Sequence, residues 1–137
     1  ALYNGNGVKR NRSAAVKWLK TAGDEGSLTA NYLLGGVYTG GEFIKPNLEL
    51  AIGYFEKAGN SGHGEAQASL GFFYYGRGQY ETALKWNRAS AKGGNARAEF
   101  LLGYMYWMGL GVRSDKKEAF KLIENSAKNN NVGEFIL

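Results

Sequence analysis

The strongest constraint on the fold of this chain is an internal repeat. A Leu-Gly pair followed three residues later by Tyr occurs three times, with the glycines at Gly35, Gly71 and Gly103 and the tyrosines at Tyr38, Tyr74 and Tyr106. Residues three or four positions apart lie on one side of an α-helix. The repeat therefore predicts one helix, here termed helix A, that recurs along the chain.

A second series keeps step with the first and predicts a second helix, helix B, in every repeat. It consists of Ala15, Ala51, Ala83 and Ala119, each followed three residues later by a large side chain: Trp18, Tyr54, Trp86 and Leu122. One hairpin cannot cover the apolar stripes of both its helices, so neighbouring hairpins must stack. We expect the repeated tyrosines and Trp18, Tyr54 and Trp86 to lie in the core. Glycine inside a helix costs about 1 kcal/mol relative to Ala, so its recurrence after Leu indicates close helix packing.

Glycine-rich segments at residues 5–8, 40–44, 76–78 and 109–112 separate each predicted helix A from its helix B. Four residues before each repeated alanine stands Asn11, Asn47, Gln79 or Asp115. Asn and Asp side chains accept the free amides at the start of a helix, whereas Gln is not a good cap. These segments therefore predict turns, and three of the four residues predict N-caps of helix B.

The segment from Ala98 to Gly111, Ala-Glu-Phe-Leu-Leu-Gly-Tyr-Met-Tyr-Trp-Met-Gly-Leu-Gly, resembles the Sel-1-like repeat, a relative of the tetratricopeptide repeat. The resemblance covers nearly the whole chain and implies an all-α fold, a right-handed α-solenoid of stacked antiparallel helix hairpins. On this pattern we expect a single repeat domain at 1–137, with a partial repeat at 1–26, full repeats at 27–62, 63–94 and 95–130, and the start of a further helix at 131–137. Neither end has the polar capping helix of a solenoid, so we expect a segment of a longer array.

The resemblance also implies a scaffold that binds a peptide or protein in a concave groove lined by helix A. Carried over position by position, the groove takes the side chains Tyr32, Thr39, Phe72, Tyr75, Phe100, Tyr104 and Trp107. Glu65 and Arg97, at the starts of their helices, would supply polar contacts at its rim. Exposed aromatic side chains are common anchors of protein recognition. The alternative is that consecutive helices bury these rings against one another.

Few residues offer catalytic or metal-binding chemistry. The chain has no Cys and one His, His63, which we interpret as an ordinary turn residue. A zinc site or a Ser-His-Asp triad needs more partners than this. The Gly-x-Gly segments recur once per repeat and lack the ending of a phosphate-binding loop, so we interpret them as turns. We therefore expect no enzyme activity, no cofactor and no metal.

Other functions remain as alternatives to the scaffold. The resemblance implies a second hypothesis, a bacterial immunity protein that neutralises a secreted effector enzyme. An aromatic trough could also act as a carbohydrate-binding module. The net charge is +5, with five cations and no acid in residues 1–20, so salt-sensitive binding of nucleic acid is a further, less favoured alternative.

No apolar run reaches membrane-spanning length. For location, the resemblance favours the bacterial periplasm or secretion, with the cytoplasm as the alternative.

Overall fold

The computed structural model describes residues 5–40 and 44–134, with side chains described for 11–40 and 44–130. This part of the chain contains seven α-helices and no β-strand. The helices are α1 Gly5–Asp24, α2 Leu28–Gly40, α3 Leu48–Asn60, α4 Gly64–Gly76, α5 Tyr80–Lys92, α6 Ala96–Met108 and α7 Lys116–Glu134. Helix A of the successive repeats corresponds to α2, α4 and α6, and helix B to α1, α3, α5 and α7.

The helices form two compact units. Unit 1 is Ala1–His63 and contains α1 to α3, while unit 2 is Gly64–Leu137 and contains α4 to α7. Within each unit every helix packs against the next one in the chain. Unit 2 has a buried cluster between α5 and α6 that consists of Ala83, Leu84, Leu102 and Met105. Each unit therefore builds its core from neighbouring hairpin helices, as the repeat predicts.

The Leu-Gly pairs are sites of close helix packing. Leu34 and Leu70 are fully buried and Leu102 nearly so. A Cβ added to Gly35, Gly71 or Gly103 would come within 3 Å of a side chain on the following helix B. That side chain is the fourth residue after the repeated alanine, not the third as in the sequence pattern. The three residues that cover the glycines are Phe55, Asn87 and Ile123.

The predicted caps of the later B helices are confirmed. The Asn47 side chain accepts a hydrogen bond from the Leu50 amide at 3.1 Å, and Asp115 accepts one from the Glu118 amide at 3.0 Å. Gln79 precedes α5 without making a side-chain cap. At the end of α6 the chain reverses through Gly109, whose φ of 74° lies in the left-handed region that favours glycine. The turn chemistry of these repeats therefore follows from the sequence.

The first B helix differs from the prediction. The turn expected at residues 5–8 and the cap expected at Asn11 are wrong, because α1 runs without a break from Gly5 to Asp24. Trp18, expected in the core, is 77% exposed, while Val16 is buried. Two residues of helix rotate a side chain by about 200°, so Val16 and Trp18 lie on nearly opposite sides of α1. The packing of α1 on α2 uses the side that carries Val16.

The last B helix also extends further than predicted. We expected a separate helix to begin at residue 131, but α7 continues from Lys116 through Glu134. The residues around this position, Asn129 to Val132, include neither Gly nor Pro. Without a strong helix breaker, the helix has no local reason to end there.

Candidate functional site

Five aromatic residues lie along α4 and α6 of unit 2 and form what is here called the aromatic face. They are Phe72, Tyr75, Phe100, Tyr104 and Trp107. Their spacing of three or four residues places them on one side of each helix. The exposed fractions are 65% for Phe72, 55% for Phe100, 38% for Tyr104 and 44% for Trp107. Unit 2 thus presents several large apolar side chains to solvent.

The rings of the aromatic face differ in how far they are packed. Tyr75 is half-buried, with its ring centroid 5.6 Å from that of Tyr80 and 6.4 Å from that of Tyr104. Burial, followed by the charge interaction with Tyr104, raises the pKa of Tyr75 above its usual value of 10.0. Lys116 places its ammonium nitrogen 5.1 Å from the Trp107 ring centroid, a cation–π contact. Tyr75 therefore packs within the unit, whereas the other rings keep exposed surface.

The two residues predicted at the rim of the groove bind each other. Arg97 donates a hydrogen bond from Nη2 to Oε2 of Glu65 at 2.6 Å, and Asn95 donates one from Nδ2 to Oε1 of Glu65 at 2.8 Å. Asn95 also caps α6 by accepting from the Ala98 amide. Glu65 therefore joins the first turn of α4 to the first turn of α6. Both members of the ion pair remain more than half exposed, so the pair is worth at most about 1 kcal/mol.

The remaining predicted site residues, Tyr32 and Thr39, belong to α2 of unit 1. Tyr32 is half-buried and stacks on His63 with ring centroids 4.9 Å apart. A second ring, that of Phe55, lies 5.7 Å from Tyr32. Thr39 is exposed, and its hydroxyl donates to the Gly36 carbonyl at 2.7 Å. The side chains of Tyr32 and Thr39 are thus engaged by their own unit.

A cleft of about 440 Å³ opens at one end of the aromatic face, between Phe72 and Phe100. Its apolar lining comes from α4 and α6, and its polar lining from α5, α6 and α7. The lining residues are Ala68, Phe72, Asn87, Ala96, Arg97, Phe100, Leu101, Ser126 and Asn130. Clefts that hold small organic groups have a comparable size and the same mixture of apolar walls and few polar groups.

Asn87 is the unusual residue of this cleft. It is 0% exposed, and its Oδ1 accepts no hydrogen bond from any residue of the described chain. Its Nδ2 lies 3.6 Å from Sδ of Met105, which is a weak acceptor. The equivalent positions in the other hairpins carry Phe55 and Ile123. A buried polar atom without a partner costs about 1–3 kcal/mol. Asn87 therefore lowers the stability of the hairpin formed by α4 and α5, and it does so at a position that lines a cleft.

Sequence reasoning missed Asn87 and two buried serines. Ser90 and Ser126 each stand seven residues after the repeated alanine of their helix. Their hydroxyls donate to the Gly64 carbonyl at 2.8 Å and to the Ala96 carbonyl at 2.7 Å. These bonds join α5 to the start of α4 and α7 to the start of α6. The signal available in the sequence was a polar residue recurring on the apolar side of helix B.

The described residues contain no group of three or more His, Asp or Glu side chains that could hold a metal ion. Within the same residues, none of the helices has both the length and the apolar character needed to cross a membrane.

Comparison with known proteins decides the family. The family model described as Sel1 repeat matches four successive segments of the chain, residues 1–27, 28–63, 64–95 and 96–131. The chain belongs to the Sel1 repeat family. The resemblance predicted from the Leu-Gly-x-x-Tyr segments is therefore confirmed.

Two curated relatives illustrate the similarity. The chain is 33% identical to human protein sel-1 homolog 2 over 115 residues, which is 81% of the chain and 17% of that protein. It is 33% identical over 89 residues to DAP3-binding cell death enhancer 1 of Rattus norvegicus, covering 64% of the chain and 18% of the relative. The chain thus spans less than a fifth of the length of either relative.

Solved structures of Sel1 repeat proteins share the fold. A Sel1 repeat protein from Oxalobacter formigenes superposes with a TM-score of 0.76 at 27% identity, covering 82% of this chain and 88% of that one. A protective antigen of uropathogenic Escherichia coli that displays an SLR fold gives a TM-score of 0.78 at 29% identity, covering 82% of this chain and 25% of the antigen. The predicted all-α solenoid class is confirmed.

Proposed function

We propose that this Sel1 repeat chain is a protein-binding scaffold and that unit 2 contacts its partner through the aromatic face. The observation that carries the proposal is the exposure of Phe72, Phe100, Tyr104 and Trp107 on two adjacent helices. Rigid aromatic side chains provide a large contact area at a small cost in conformational entropy. Membership of a family of repeat scaffolds supports the proposal, as does the similarity to a relative whose name describes it as DAP3-binding.

The test begins with peptides selected from a displayed random library on the immobilised chain. Binding of the enriched peptides is then measured for the wild type and for a Tyr104→Ala, Trp107→Ala double variant. Loss of a single interface hot-spot side chain costs about 2 kcal/mol or more, so we expect the affinity of the double variant to fall by at least about thirtyfold. Circular dichroism should show unchanged helical content, because both side chains are partly exposed.

Trp18 provides a matched control. It is 77% exposed on α1 and lies outside the aromatic face, so Trp18→Ala should leave peptide binding unchanged. Equal binding by the wild type and the double variant would refute the assignment of the aromatic face. A loss of binding in Trp18→Ala of the same size would show that the chain uses exposed indoles without regard to their position.

A further inference from the structure

We propose that the cleft of unit 2 binds an aromatic side chain that carries a hydrogen-bond donor, a Tyr or Trp of the partner protein, with Asn87 as the acceptor. The proposal rests on the proposed function and adds the chemistry that the partner must present. It joins three observations: a cleft between two exposed phenyl rings, a fully buried amide that lines the cleft, and an amide oxygen without a hydrogen-bond donor in the described chain.

The walls of the cleft fit a flat apolar group. Phe72 and Phe100 lie on different helices and keep more than half of their surface exposed. Aromatic rings attract one another in offset or edge-to-face arrangements. Ala68 and Ala96, which also line the cleft, occupy little space. A volume of about 440 Å³ leaves room for one aromatic side chain together with the peptide segment that carries it.

The polar residues that line the cleft determine which hydrogen-bonding group a bound ring must carry. Asn87 Oδ1 is an acceptor, and it lies over the Gly71 backbone, where a Cβ would collide with it. The proposal requires the amide to turn about its terminal torsion, which has a broad energy profile, so that Oδ1 faces the cleft and Nδ2 gives up its weak contact with Sδ of Met105. A phenol or an indole then supplies the missing donor. A phenyl ring leaves Oδ1 without one.

Charged side chains fit this cleft poorly. A carboxylate has only acceptor oxygens, so it cannot donate a hydrogen bond to Asn87 Oδ1. A Lys or Arg side chain would carry a cation into a partly apolar cleft that Arg97 already lines, at a cost in desolvation. A neutral aromatic donor avoids both penalties, and Tyr and Trp are the residues that provide it.

Two small molecules test the proposal directly, because 4-methylphenol and toluene differ only in the hydroxyl group. Their binding to the full chain is measured by NMR titration, following the side-chain amide signals of Asn87 and the methyl signals of Ala68 and Ala96. One added hydrogen bond corresponds to about three- to tenfold in affinity. We expect 4-methylphenol to bind tighter than toluene by that factor, and the Asn87 amide signals to shift with 4-methylphenol.

Two variants of Asn87 separate the hydrogen bond from general packing. Asn87→Leu removes the acceptor and should abolish the preference for 4-methylphenol, whereas Asn87→Asp retains an acceptor and should keep that preference. Asn60→Leu, an exposed position at the end of α3, is the matched control and should behave as the wild type. Equal affinities in the wild type, or a preference that survives in Asn87→Leu, would overturn the proposal. Circular dichroism checks that each variant is folded.

The enriched peptides distinguish this proposal from the proposed function. On the wild type, replacing a required Tyr by Phe should weaken binding about three- to tenfold, and on Asn87→Leu it should have no effect. Peptides that depend on Tyr104 and Trp107 but tolerate Phe equally would overturn the cleft proposal and leave the aromatic face in place. Failure to enrich any peptide would overturn both.

Discussion

Replacing Gly35 by Ala should destabilise the chain relative to the same replacement at its neighbour Gly36. Both glycines lie in α2, so both variants gain the same helix propensity, about 0.5–1 kcal/mol. Their surroundings differ. A Cβ on Gly36 would meet nothing within 4 Å, whereas a Cβ on Gly35 would lie 2.5 Å from Cε1 and 2.6 Å from Cδ1 of Phe55.

The expected magnitude follows from that contact. Carbon atoms normally approach to about 3.5–4.0 Å, so the ring of Phe55 would have to move by about 1 Å. Phe55 is only 3% exposed, and a side chain enclosed in this way cannot swing into solvent. Overpacking of this kind costs about 1–3 kcal/mol. Because the propensity gain cancels, we expect Gly35→Ala to be less stable than Gly36→Ala by that amount.

Urea unfolding followed by far-UV circular dichroism measures the difference. Gly36→Ala should have a higher midpoint than the wild type, and Gly35→Ala a lower midpoint than Gly36→Ala at a similar slope. Adding Phe55→Leu to Gly35→Ala should reveal coupling, because a smaller side chain relieves the clash. Two single variants of equal stability would refute the argument that the Leu-Gly glycine exists to admit the neighbouring helix.

Two further predictions concern single side chains of unit 2. Ser90→Ala removes the hydrogen bond to the Gly64 carbonyl and should lower the free energy of unfolding by about 1 kcal/mol. Ser69→Ala, at a half-buried serine of α4 whose hydroxyl bonds the Glu65 carbonyl of its own helix, should change it by less than about 0.5 kcal/mol. Equal effects would show that the Ser90 bond is not stabilising. Burial and the charge interaction with Tyr104 raise the pKa of Tyr75 above 10.0, so its contribution to stability is present below pH 10.0 and is lost as the pH rises through the folded-state pKa. As the pH rises above 10.0, the free energy of unfolding measured by urea titration should therefore fall less for Tyr75→Phe than for the wild type. Parallel pH profiles of the two proteins would contradict the raised pKa.

Asn87 shows how a repeat pattern can hide an informative residue. The pattern marks the third residue after the repeated alanine, and Trp86 is indeed buried. The following residue covers the glycine of helix A, and only the helix geometry reveals that contact. Once that position is known, the sequence shows that it carries an amide, whereas the neighbouring hairpins carry Phe55 and Ile123. Its missing hydrogen-bond donor is visible only in the packed structure.

Trp18 illustrates the opposite error. It stands at the same place in the repeat as Trp86, yet one is 77% exposed and the other 7%. A repeat in the sequence predicts that residues at equivalent positions have equivalent surroundings. Burial depends on whether a neighbouring element covers that side of the helix, and the packing of α1 uses the side of Val16 instead. The same limit applies to the aromatic face, where Tyr75 packs against Tyr80 while Phe72 stays exposed.

The sequence by itself determined the repeat, the helix class and the caps at Asn47 and Asp115, because helix periodicity and capping act over three or four residues and are written locally in the chain. Tertiary structure alone decided which side of each helix is covered, how Glu65 and Arg97 pair across two helices, and that Asn87 is buried beside a cleft. These properties depend on contacts between side chains that lie far apart in the chain. No local pattern of residue types specifies such contacts.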